Sequence, residues 1–440
     1  MSAIFAPVAR ASAGVPRRRT ELGLMLLGAL TTCFAYLLSH TATTGRLIGT
    51  SDVLLAVVAL IPMGGHLANR RWAPDADPVI LPTAALLNGL GWVMVVRLDP
   101  ALALHQAMWT AIGVVVYVLG LATVRHSRDL ERYRYLLGVG GVGMLLLPLV
   151  PHLGVDVNGS RLWVRLGPVS FQPVEIAKIA LVIFFASSFG EKRDLISTPT
   201  VRVGNLLLPD PRVLGPLVAA WGFAMLAMVA EHNVGFAFLI FVIFLSMLWV
   251  ATGRVAYLAV GAVLFVVGAW IGSLLFAHVD ARIVAWLHPW SHVNTVGYQI
   301  VQAQYALGWG GITGTGLGLG HPSYVPVVIS DFIFAAFGEE MGLVGTTSLV
   351  IAFLILVGAG LRAALSARSD FSKLAAAGLT AVLGFQAFFI MAGIVRLLPL
   401  TGVTLPFVAY GGSSLVANYV LIALIMRISN EGEAAKLSWG

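Results

Sequence analysis

Charged side chains are the scarcest feature of this sequence. Asp, Glu, Lys and Arg together make up 11% of its 440 residues, whereas a soluble globular domain carries about 25%. Hydrophobic residues account for 58% of the chain, which is too many for a water-facing surface to be covered by polar groups. The composition therefore excludes a soluble enzyme with one or two compact cores, and it equally excludes a disordered chain. Lipid must be the solvent for most of this chain.

Cysteine is almost absent. The single cysteine, Cys33, lies in an apolar run, so no disulfide can form within the chain. We also expect no cleavable signal peptide, because no small-residue cleavage site follows a short apolar core near the N-terminus. The first apolar run is long enough to stay in the membrane.

Long apolar runs are abundant instead. A transmembrane helix needs about 20 predominantly apolar residues, and such windows occur twelve times in the sequence. We therefore expect an all-α, polytopic integral membrane protein of about 12 helices, with re-entrant or short helical segments in its long outer loops. The windows are Glu21–Ser39, Ser51–Leu67, Val79–Val96, Ala103–Val124, Tyr135–Val150, Val174–Gly190, Leu214–Ala230, Gly235–Ala251, Val255–Phe276, Phe332–Leu361 (in two pieces), Lys373–Leu398 and Gly411–Ile428.

The distribution of basic residues predicts the orientation of these spans. The 27 Lys and Arg residues exceed the 20 Asp and Glu residues, which gives a formal net charge of +7. Twenty of the basic residues fall on one side of the predicted membrane and 6 on the other, with Lys178 inside a span. Because cytoplasmic loops are enriched in Lys and Arg, both termini are predicted to be cytoplasmic. The basic excess marks orientation and does not indicate nucleic-acid binding.

The two longest segments without a span are Pro151–Pro173 and Ala277–Ser330, both on the predicted outer side. Loops of this length are uncommon unless they are functional, so we expect any chemistry there. The first segment contains two arginines on either side of a tryptophan: Arg161, Trp163 and Arg165.

Gln172 ends the first segment, and Glu175 and Lys178 follow at a spacing that puts them on one helix face. Ionised groups in a membrane are costly and suggest a functional site. Two interpretations stay open. The pair could neutralise itself and fix helix packing, or Lys178 could join Arg161 and Arg165 in a cationic pocket for a phosphorylated ligand.

The second segment runs into an apolar helix that opens at Ser330 and Asp331. An acid there could be an ordinary helix cap. Alternatively, the apolar flank 332–334 could desolvate Asp331 and raise its pKa toward a value useful for a general base. Glu339 and Glu340 follow inside the membrane, either in a structural polar network with a buried Arg or backbone donor, or in catalysis.

Three further features have weaker interpretations. Glu231 interrupts the apolar pattern beside Gly235, which indicates either a gating or substrate-lining residue or a plain outer turn. The glycine-rich run 308–320 lacks a true G-x-G-x-x-G pattern and is interpreted as a tight re-entrant loop. His288 and His292 have the spacing of zinc ligands, but no third Cys or His lies nearby.

Four segments resemble, in order, the motifs of the SEDS family (shape, elongation, division and sporulation), which includes RodA- and FtsW-type proteins. The details are closer to RodA-type, actinobacterial members. These segments are N-G-S-R-L-W…G-P-V-S-F-Q-P-V-E-I-A-K at 158–178, G-Y-Q-x-x-Q at 297–302, S-D-F-I-F-x-x-x-G-E-E at 330–340, and L-P-L-T-G-V-T-L-P-x-x-x-Y-G-G-S-S at 398–414.

The resemblance implies a peptidoglycan glycosyltransferase that polymerises lipid II, an undecaprenyl-pyrophosphate-linked disaccharide, at the outer face of the bacterial plasma membrane. Asp331 takes the place of the family's catalytic aspartate. Gln299, Ser413 and Ser414 lie in matching motifs. The predicted substrate-binding residues are therefore Arg161, Trp163, Arg165, Gln172, Glu175, Lys178, Gln299, Ser413 and Ser414. A divalent cation (Mg or Mn) could assist and no organic cofactor is expected, whereas a class B penicillin-binding protein is the expected partner.

The resemblance also divides the chain. It implies a glycosyltransferase membrane core at residues 135–430, preceded by a cytoplasmic tail (1–20) and N-terminal helices (21–134), and followed by a short cytoplasmic tail (431–440). Family members commonly have about ten spans, so twelve would place two extra helices at the N-terminus.

This sequence departs from the family pattern near the predicted site. The segment before Asp331 lacks the usual Glu and His, Val174 replaces a Ser, Asn233 stands where an Asp is common, and Ala409 replaces a Ser. Two other functions stay open on physical grounds. A lipid II flippase would also need many spans and intramembrane charges, and an inactive membrane scaffold would tolerate substitution of Asp331.

Overall fold

The computed structural model describes residues 17–46, 49, 51–157, 160–167, 169–197, 201–203, 206–208 and 211–437. Within them the chain forms fifteen α-helices, five short strands and five short 3-10 helices. The helices are α1 (Arg17–Thr44), α2 (Asp52–Trp72), α3 (Ile80–Leu98), α4 (Ala103–Thr123), α5 (Arg134–Leu146), α6 (Pro173–Glu191), α7 (Arg193–Ser197), α8 (Pro211–Ala230), α9 (Val234–Thr252), α10 (Val255–Leu275), α11 (Ala277–Leu287), α12 (Tyr298–Gly310), α13 (Ile333–Ser366), α14 (Asp370–Ile394) and α15 (Gly412–Leu437). The strands are β1 (Gly154–Val157), β2 (Ser160–Leu166), β3 (Val169–Phe171), β4 (Val201–Val203) and β5 (Leu206–Leu208).

The helices confirm an all-α, multi-pass membrane protein. Ten helices in the described part of the chain are long and apolar enough to cross a membrane. The other two predicted spans coincide with α5, which has 13 residues, and with α8, where Val218–Ala230 is the apolar stretch.

The first long outer segment forms a sheet, where short helical or re-entrant pieces were expected. Strands β1, β2 and β3 pair in that order, antiparallel, between α5 and α6. The sequence at 161–166 alternates polar or amphipathic residues with apolar ones, which is the period of a strand with one solvated face. A second antiparallel pair, β4 and β5, lies between α7 and α8.

Helix α6 lies at the centre of the bundle and α10 at its edge. In the apolar window of α6, 83% of the residues are buried in the protein, against 6% for α10. The core around α6 is aromatic: the rings of Phe185 and Phe244 meet edge to face at 5.2 Å. Any charged group on α6 is therefore enclosed by other helices.

The two ends of the described chain meet at one end of the bundle. Arg17 at the start of α1 pairs with Glu433 near the end of α15 at 2.7 Å, and it also donates to the carbonyl of Asp75 at 2.6 Å. Arg362, close to the end of α13, pairs with Asp77 at 2.9 Å. The start of α13 consequently lies at the opposite end of the bundle.

Helix α13 consists of two pieces, as expected. The break is at Gly342, whose φ of 64° and ψ of −161° are not helical. A Cβ atom on Gly342 would lie 2.3 Å from the backbone nitrogen of Gly314, so only glycine lets the glycine-rich loop (residues 311–321) approach the helix here.

Candidate active site

Asp331 lies just before α13 and does not cap it. The N-cap residue of α13 is Phe332, and no side chain makes a capping hydrogen bond there. The backbone nitrogen of Asp331 donates to the carbonyl of Val327 at 3.2 Å, which places Asp331 in a turn. The capping interpretation of Asp331 is therefore wrong, and its carboxylate is available for another role.

Arg282, which no sequence motif marks as functional, lies beside Asp331. Arg282 on α11 donates through Nη1 to the carbonyl oxygens of Leu400 at 3.2 Å and Thr401 at 2.9 Å. A Cβ atom built on the next residue, Gly402, would be 3.6 Å from Arg282 Nη2 and 3.9 Å from Asp331 Oδ2. The two charged groups thus flank Gly402, which is itself exposed.

The electrostatic setting makes Asp331 more basic than an ordinary aspartate. Burial raises the pKa of the Asp331 carboxyl, while the hydrogen bond from Ser330 and the charge of Arg282 oppose the rise. Burial also lowers the pKa of Arg282, against the effect of Asp331. A carboxyl with a raised pKa, next to an exposed gap, has the properties of a general base.

Glu175 and Lys178 form a buried ion pair on α6. Both side chains are shielded from solvent, and Lys178 Nζ also donates to Oε1 of Gln386 on α14 at 2.7 Å. In this conformation Lys178 cannot contact a ligand outside the bundle, so the geometry matches the self-neutralising pair rather than a phosphate site. The assignment of Lys178 and Glu175 to substrate binding stays a prediction.

Two serines of the Y-G-G-S-S segment join this network. Ser413 Oγ accepts from the backbone nitrogen of Gln172 at 3.1 Å, which links α15 to the start of α6. Ser414 Oγ accepts from the Thr404 hydroxyl at 2.8 Å. Ser414 is buried and Ser413 is half-buried, so both serines hold backbone segments together.

Strand β2 carries the two predicted arginines. Trp163 and Arg165 are two residues apart and point to the same side, and Val164 between them is buried, whereas the pairing register with β1 shifts between Arg161 and Trp163. Both arginines are exposed, and among the described residues Arg161 has an ion-pair partner in the Asp156 carboxylate, at 3.9 Å. This strand offers solvent-accessible cations. Gln299, on α12, is exposed as well.

Glu231 is buried in the turn between α8 and α9. Its Oε1 atom makes no hydrogen bond among the described residues, and burial raises its pKa to about 8, against the opposing effect of the nearby Asn233 side chain. Asn233 caps α9 by accepting from the backbone nitrogen of Phe236 at 3.3 Å, as an Asp would at this position. The carbonyl of Glu231 accepts from the Arg161 nitrogen at 3.2 Å, which ties the turn to β2.

Glu339 and Glu340 hold the glycine-rich loop, as the structural interpretation of the two acids predicts. Glu340 binds Arg97 Nε at 3.1 Å and the backbone nitrogen of Gly318 at 2.9 Å. Glu339 accepts from the backbone nitrogen of His321 at 2.6 Å. Three of the four carboxylate oxygens of these two acids accept these hydrogen bonds.

No metal centre is evident in the part of the chain that the structure describes. It contains no group of three or more His, Cys, Asp and Glu side chains that could hold a metal ion. His292 instead contacts the carbonyl of His288 through Nδ1 at 3.1 Å.

Comparison with known proteins gives a consistent result. The sequence model of the FtsW–RodA–SpoVE family, described as "Cell cycle protein", matches residues 82–434. "Peptidoglycan glycosyltransferase RodA" of Mycobacterium tuberculosis (strain ATCC 25618 / H37Rv) is 41% identical over 438 residues, which is 97% of this chain and 93% of the relative. "Probable peptidoglycan glycosyltransferase FtsW" of Geobacter sulfurreducens (strain DL-1 / KN400) is 33% identical over 373 residues, 82% of this chain and 96% of that one.

Solved structures agree in fold. A chain from a peptidoglycan synthase complex, studied for its coordination of polymerization and crosslinking, superposes with a TM-score of 0.65 at 24% identity, covering 81% of this chain and 98% of that one. The rod shape determining protein RodA of Thermus thermophilus gives a TM-score of 0.59 at 24% identity, covering 81% and 97% of the two chains. The extent of the family match and the identity to RodA confirm the resemblance, and this chain belongs to the FtsW–RodA–SpoVE (SEDS) family, on its RodA-like side.

Proposed function

We propose that this chain is a peptidoglycan glycosyltransferase that polymerises lipid II at the outer face of the plasma membrane. The observation that carries the proposal is that Asp331 and Arg282 both lie beside exposed Gly402, at the end of the bundle opposite the meeting point of Arg17 and Glu433. Relatives named peptidoglycan glycosyltransferase support the reaction class.

In the proposed reaction, Asp331 is the general base. It accepts the proton of the GlcNAc 4-hydroxyl of one lipid II as that oxygen attacks C1 of the MurNAc of another. The new C1–O bond forms as the bond from C1 to the pyrophosphate oxygen breaks, and the electron pair leaves with undecaprenyl pyrophosphate. One displacement inverts the anomeric centre. Because pyrophosphate is a good leaving group, no second carboxylic acid is needed to protonate it, unlike in a glycosidase.

Cations of the chain have two separate tasks in this scheme. Arg282 orients the 400–402 backbone, and its charge partly offsets the raised pKa of Asp331. Arg161 and Arg165 are the solvent-accessible candidates for binding the pyrophosphate, with the planar donors that suit phosphate oxygens. A divalent cation stays part of the proposal only as an assistant to the pyrophosphate, and we assign no step to it because the described residues offer no set of three ligands.

The orientation and the partner are also proposals. The basic residues near Arg17 and Arg362 support a cytoplasmic location for that end of the bundle. A cysteine introduced at Gln299 should then react with a membrane-impermeant thiol reagent added outside intact cells, and protection from it would reverse the orientation. The described chain contains no soluble transpeptidase domain, so a class B penicillin-binding protein is the proposed cross-linking partner.

The test of the function is lipid II polymerisation by the purified chain in detergent, with and without that partner. Asp331→Asn should lower the rate by at least about 100-fold, since general bases contribute about 10²–10⁴-fold. Asp280→Asn, which removes an exposed acid of neighbouring α11, is the matched control and should leave the rate unchanged. If the folded Asp331→Asn protein polymerises like the wild type, the assignment is wrong.

The same assay separates the alternative functions. A flippase would move lipid II across a vesicle membrane without making polymer, and a scaffold would do neither. A purified wild-type chain that makes no polymer, alone or with its partner, would refute the polymerase.

A further inference from the structure

A buried glutamine joins the Glu175–Lys178 pair to the loop beside Asp331. The connecting loop (residues 395–411) links α14 to α15 and carries Gly402. Gln386, on α14, is fully buried. Its Oε1 accepts from Lys178 Nζ at 2.7 Å and its Nε2 donates to the carbonyl of Thr404 at 2.9 Å. Thr404 is two residues beyond Gly402 in the connecting loop.

Lys178 determines which way the Gln386 amide points. An ammonium group can only donate hydrogen bonds, so the oxygen of the amide must face Lys178. The NH₂ group is then turned toward the connecting loop, where it meets the Thr404 carbonyl. Glu175 in turn keeps Lys178 in place inside an apolar helix core. The position of the ion pair thus determines how the Gln386 amide holds the loop.

The connecting loop is also held at other points. Arg282 binds the carbonyls of Leu400 and Thr401, and the backbone nitrogen of Tyr410 donates to the carbonyl of Ile329 at 3.1 Å. Ile329 is two residues before Asp331. The loop is therefore tied to Arg282 and to the segment just before Asp331, and Gln386 adds an attachment from the interior of the bundle.

We propose that Gln386 is a positioning residue: held by the Glu175–Lys178 pair, it fixes the connecting loop so that Arg282 and Gly402 stay in register with Asp331. The role of the buried ion pair is then to orient an amide and not to contact the substrate. Gln386 has no contact with reacting atoms in this proposal.

Gln386→Leu removes both contacts and nearly keeps the volume of the side chain. Leucine neither accepts from Lys178 nor donates to the Thr404 carbonyl, while Lys178 keeps Glu175 as its charge partner. We expect the loop to shift while α6 and α14 stay packed. Since a misplacement of about 1 Å can cost about 100-fold in rate, kcat for lipid II polymerisation should fall about 10- to 100-fold, with KM changed less than about three-fold.

Two further measurements distinguish positioning from a general loss of packing. Hydrogen–deuterium exchange of peptides covering 400–410 should become faster in Gln386→Leu, whereas exchange in the α6 core should not change. The acidic limb of the kcat–pH profile should move to higher pH, because Arg282 would no longer oppose the raised pKa of Asp331 as effectively.

Gln106→Leu is the matched control. Gln106 is an equally buried glutamine, on α4, whose side-chain amide has no hydrogen-bond partner among the described residues. Its replacement should leave kcat, the acidic limb and exchange at 400–410 as in the wild type. Equal effects of the two substitutions would overturn the proposal, as would a Gln386→Leu protein with wild-type exchange and kcat.

If the Gln386 variants do not fold, the double variant Glu175→Gln/Lys178→Met decides the question. It removes both charges of the buried pair without leaving one unpaired, and with them the donor that holds Gln386 Oε1. It should speed exchange at 400–410 and lower kcat, and an unchanged protein would contradict the proposal. The kcat measurement rests on the proposed function, but the exchange measurement does not. A wild-type protein that makes no polymer would refute the polymerase, and exchange at 400–410 would still test the positioning role of Gln386.

Discussion

Asp331, just before α13, and Glu340, within it, differ in how fully their carboxylate oxygens are hydrogen-bonded. Glu340 is buried, and its two carboxylate oxygens accept from Arg97 and from the backbone of Gly318. Asp331 is partly buried, has a hydroxyl neighbour in Ser330, and faces Arg282 across exposed Gly402. A carboxylate whose acceptors are all occupied fixes structure, whereas one that is desolvated and still has free acceptor capacity can take up a proton.

The comparison predicts that substituting Glu340 affects stability first. Glu340→Gln leaves Arg97 without its charge partner, and breaking a buried ion pair costs about 3–5 kcal/mol. Because Arg97 is partly exposed, we expect the lower end, about 3 kcal/mol, as a loss in the free energy of unfolding measured by SDS titration. The kcat per folded molecule should change little. Glu339→Gln, which disturbs a backbone contact only, is the control with a smaller loss. A stable Glu340→Gln protein with impaired kcat would assign this acid to the chemistry.

On the catalytic side, Arg282→Gln should lower kcat about 100-fold, because a misplacement of about 1 Å at the site can cost about that much in rate. Loss of the positive charge also raises the pKa of Asp331 further, so the acidic limb of the pH–rate profile should move to higher pH. Arg193→Gln is the control, since Arg193 also binds a backbone carbonyl, that of Ala251 at 3.1 Å near the end of α9, and it should leave kcat and the acidic limb unchanged. An acidic limb that stays in place in Arg282→Gln would mean that the two groups do not interact.

Glu231 is intermediate between the two acids and should show the smallest effect on rate. Its pKa of about 8, above the usual 4.5, means that it is protonated at neutral pH, so Glu231→Gln should change kcat at pH 7 by less than about two-fold. The stability also depends on pH, because the folded and unfolded chains bind this proton with different affinity. The folded protein binds this proton more tightly than the unfolded chain, so the stability due to Glu231 is present below pH 4.5 and is lost as the pH rises through about 8.

Glu231→Gln therefore gains stability over the wild type between pH 5 and pH 9. The difference in melting temperature between the two proteins, measured in detergent at both pH values, checks this. A difference that is constant with pH would show that Glu231 is already ionised in the folded protein.

The sequence predicted the features that depend on local pattern. The spans follow from the length and composition of apolar runs, and the Glu175–Lys178 pair follows from helix periodicity. Asp331 needed the family resemblance as well, because an acid before an apolar helix also fits an ordinary cap. That alternative could be rejected only once the structure placed Phe332 at the cap.

The features that the sequence did not predict depend on contacts between distant segments. Arg282 was visible as one of few basic residues on the predicted outer side, but nothing local indicates that α11 would bring it to Leu400 and Thr401. Gln386 gave no signal, since a single glutamine in an apolar helix has many possible partners. Strands β1 to β3 were not predicted, because the pairing of short strands in an outer segment depends on contacts between them that no single run of residues shows.

The position of the two ion pairs has a consequence for how the protein enters the membrane during synthesis. Glu175 and Lys178 lie on the same helix, so α6 brings its own counter-charge and can insert before any neighbour is made. A lone Lys or Asp at a helix centre costs about 2.5–3.5 kcal/mol on translocon insertion. Arg97 and Glu340 lie on α3 and α13, so Glu340 is synthesised long after Arg97. Until then the Arg97 side chain has no carboxylate partner in Glu340 and must stay near the membrane surface, where a long side chain can reach water.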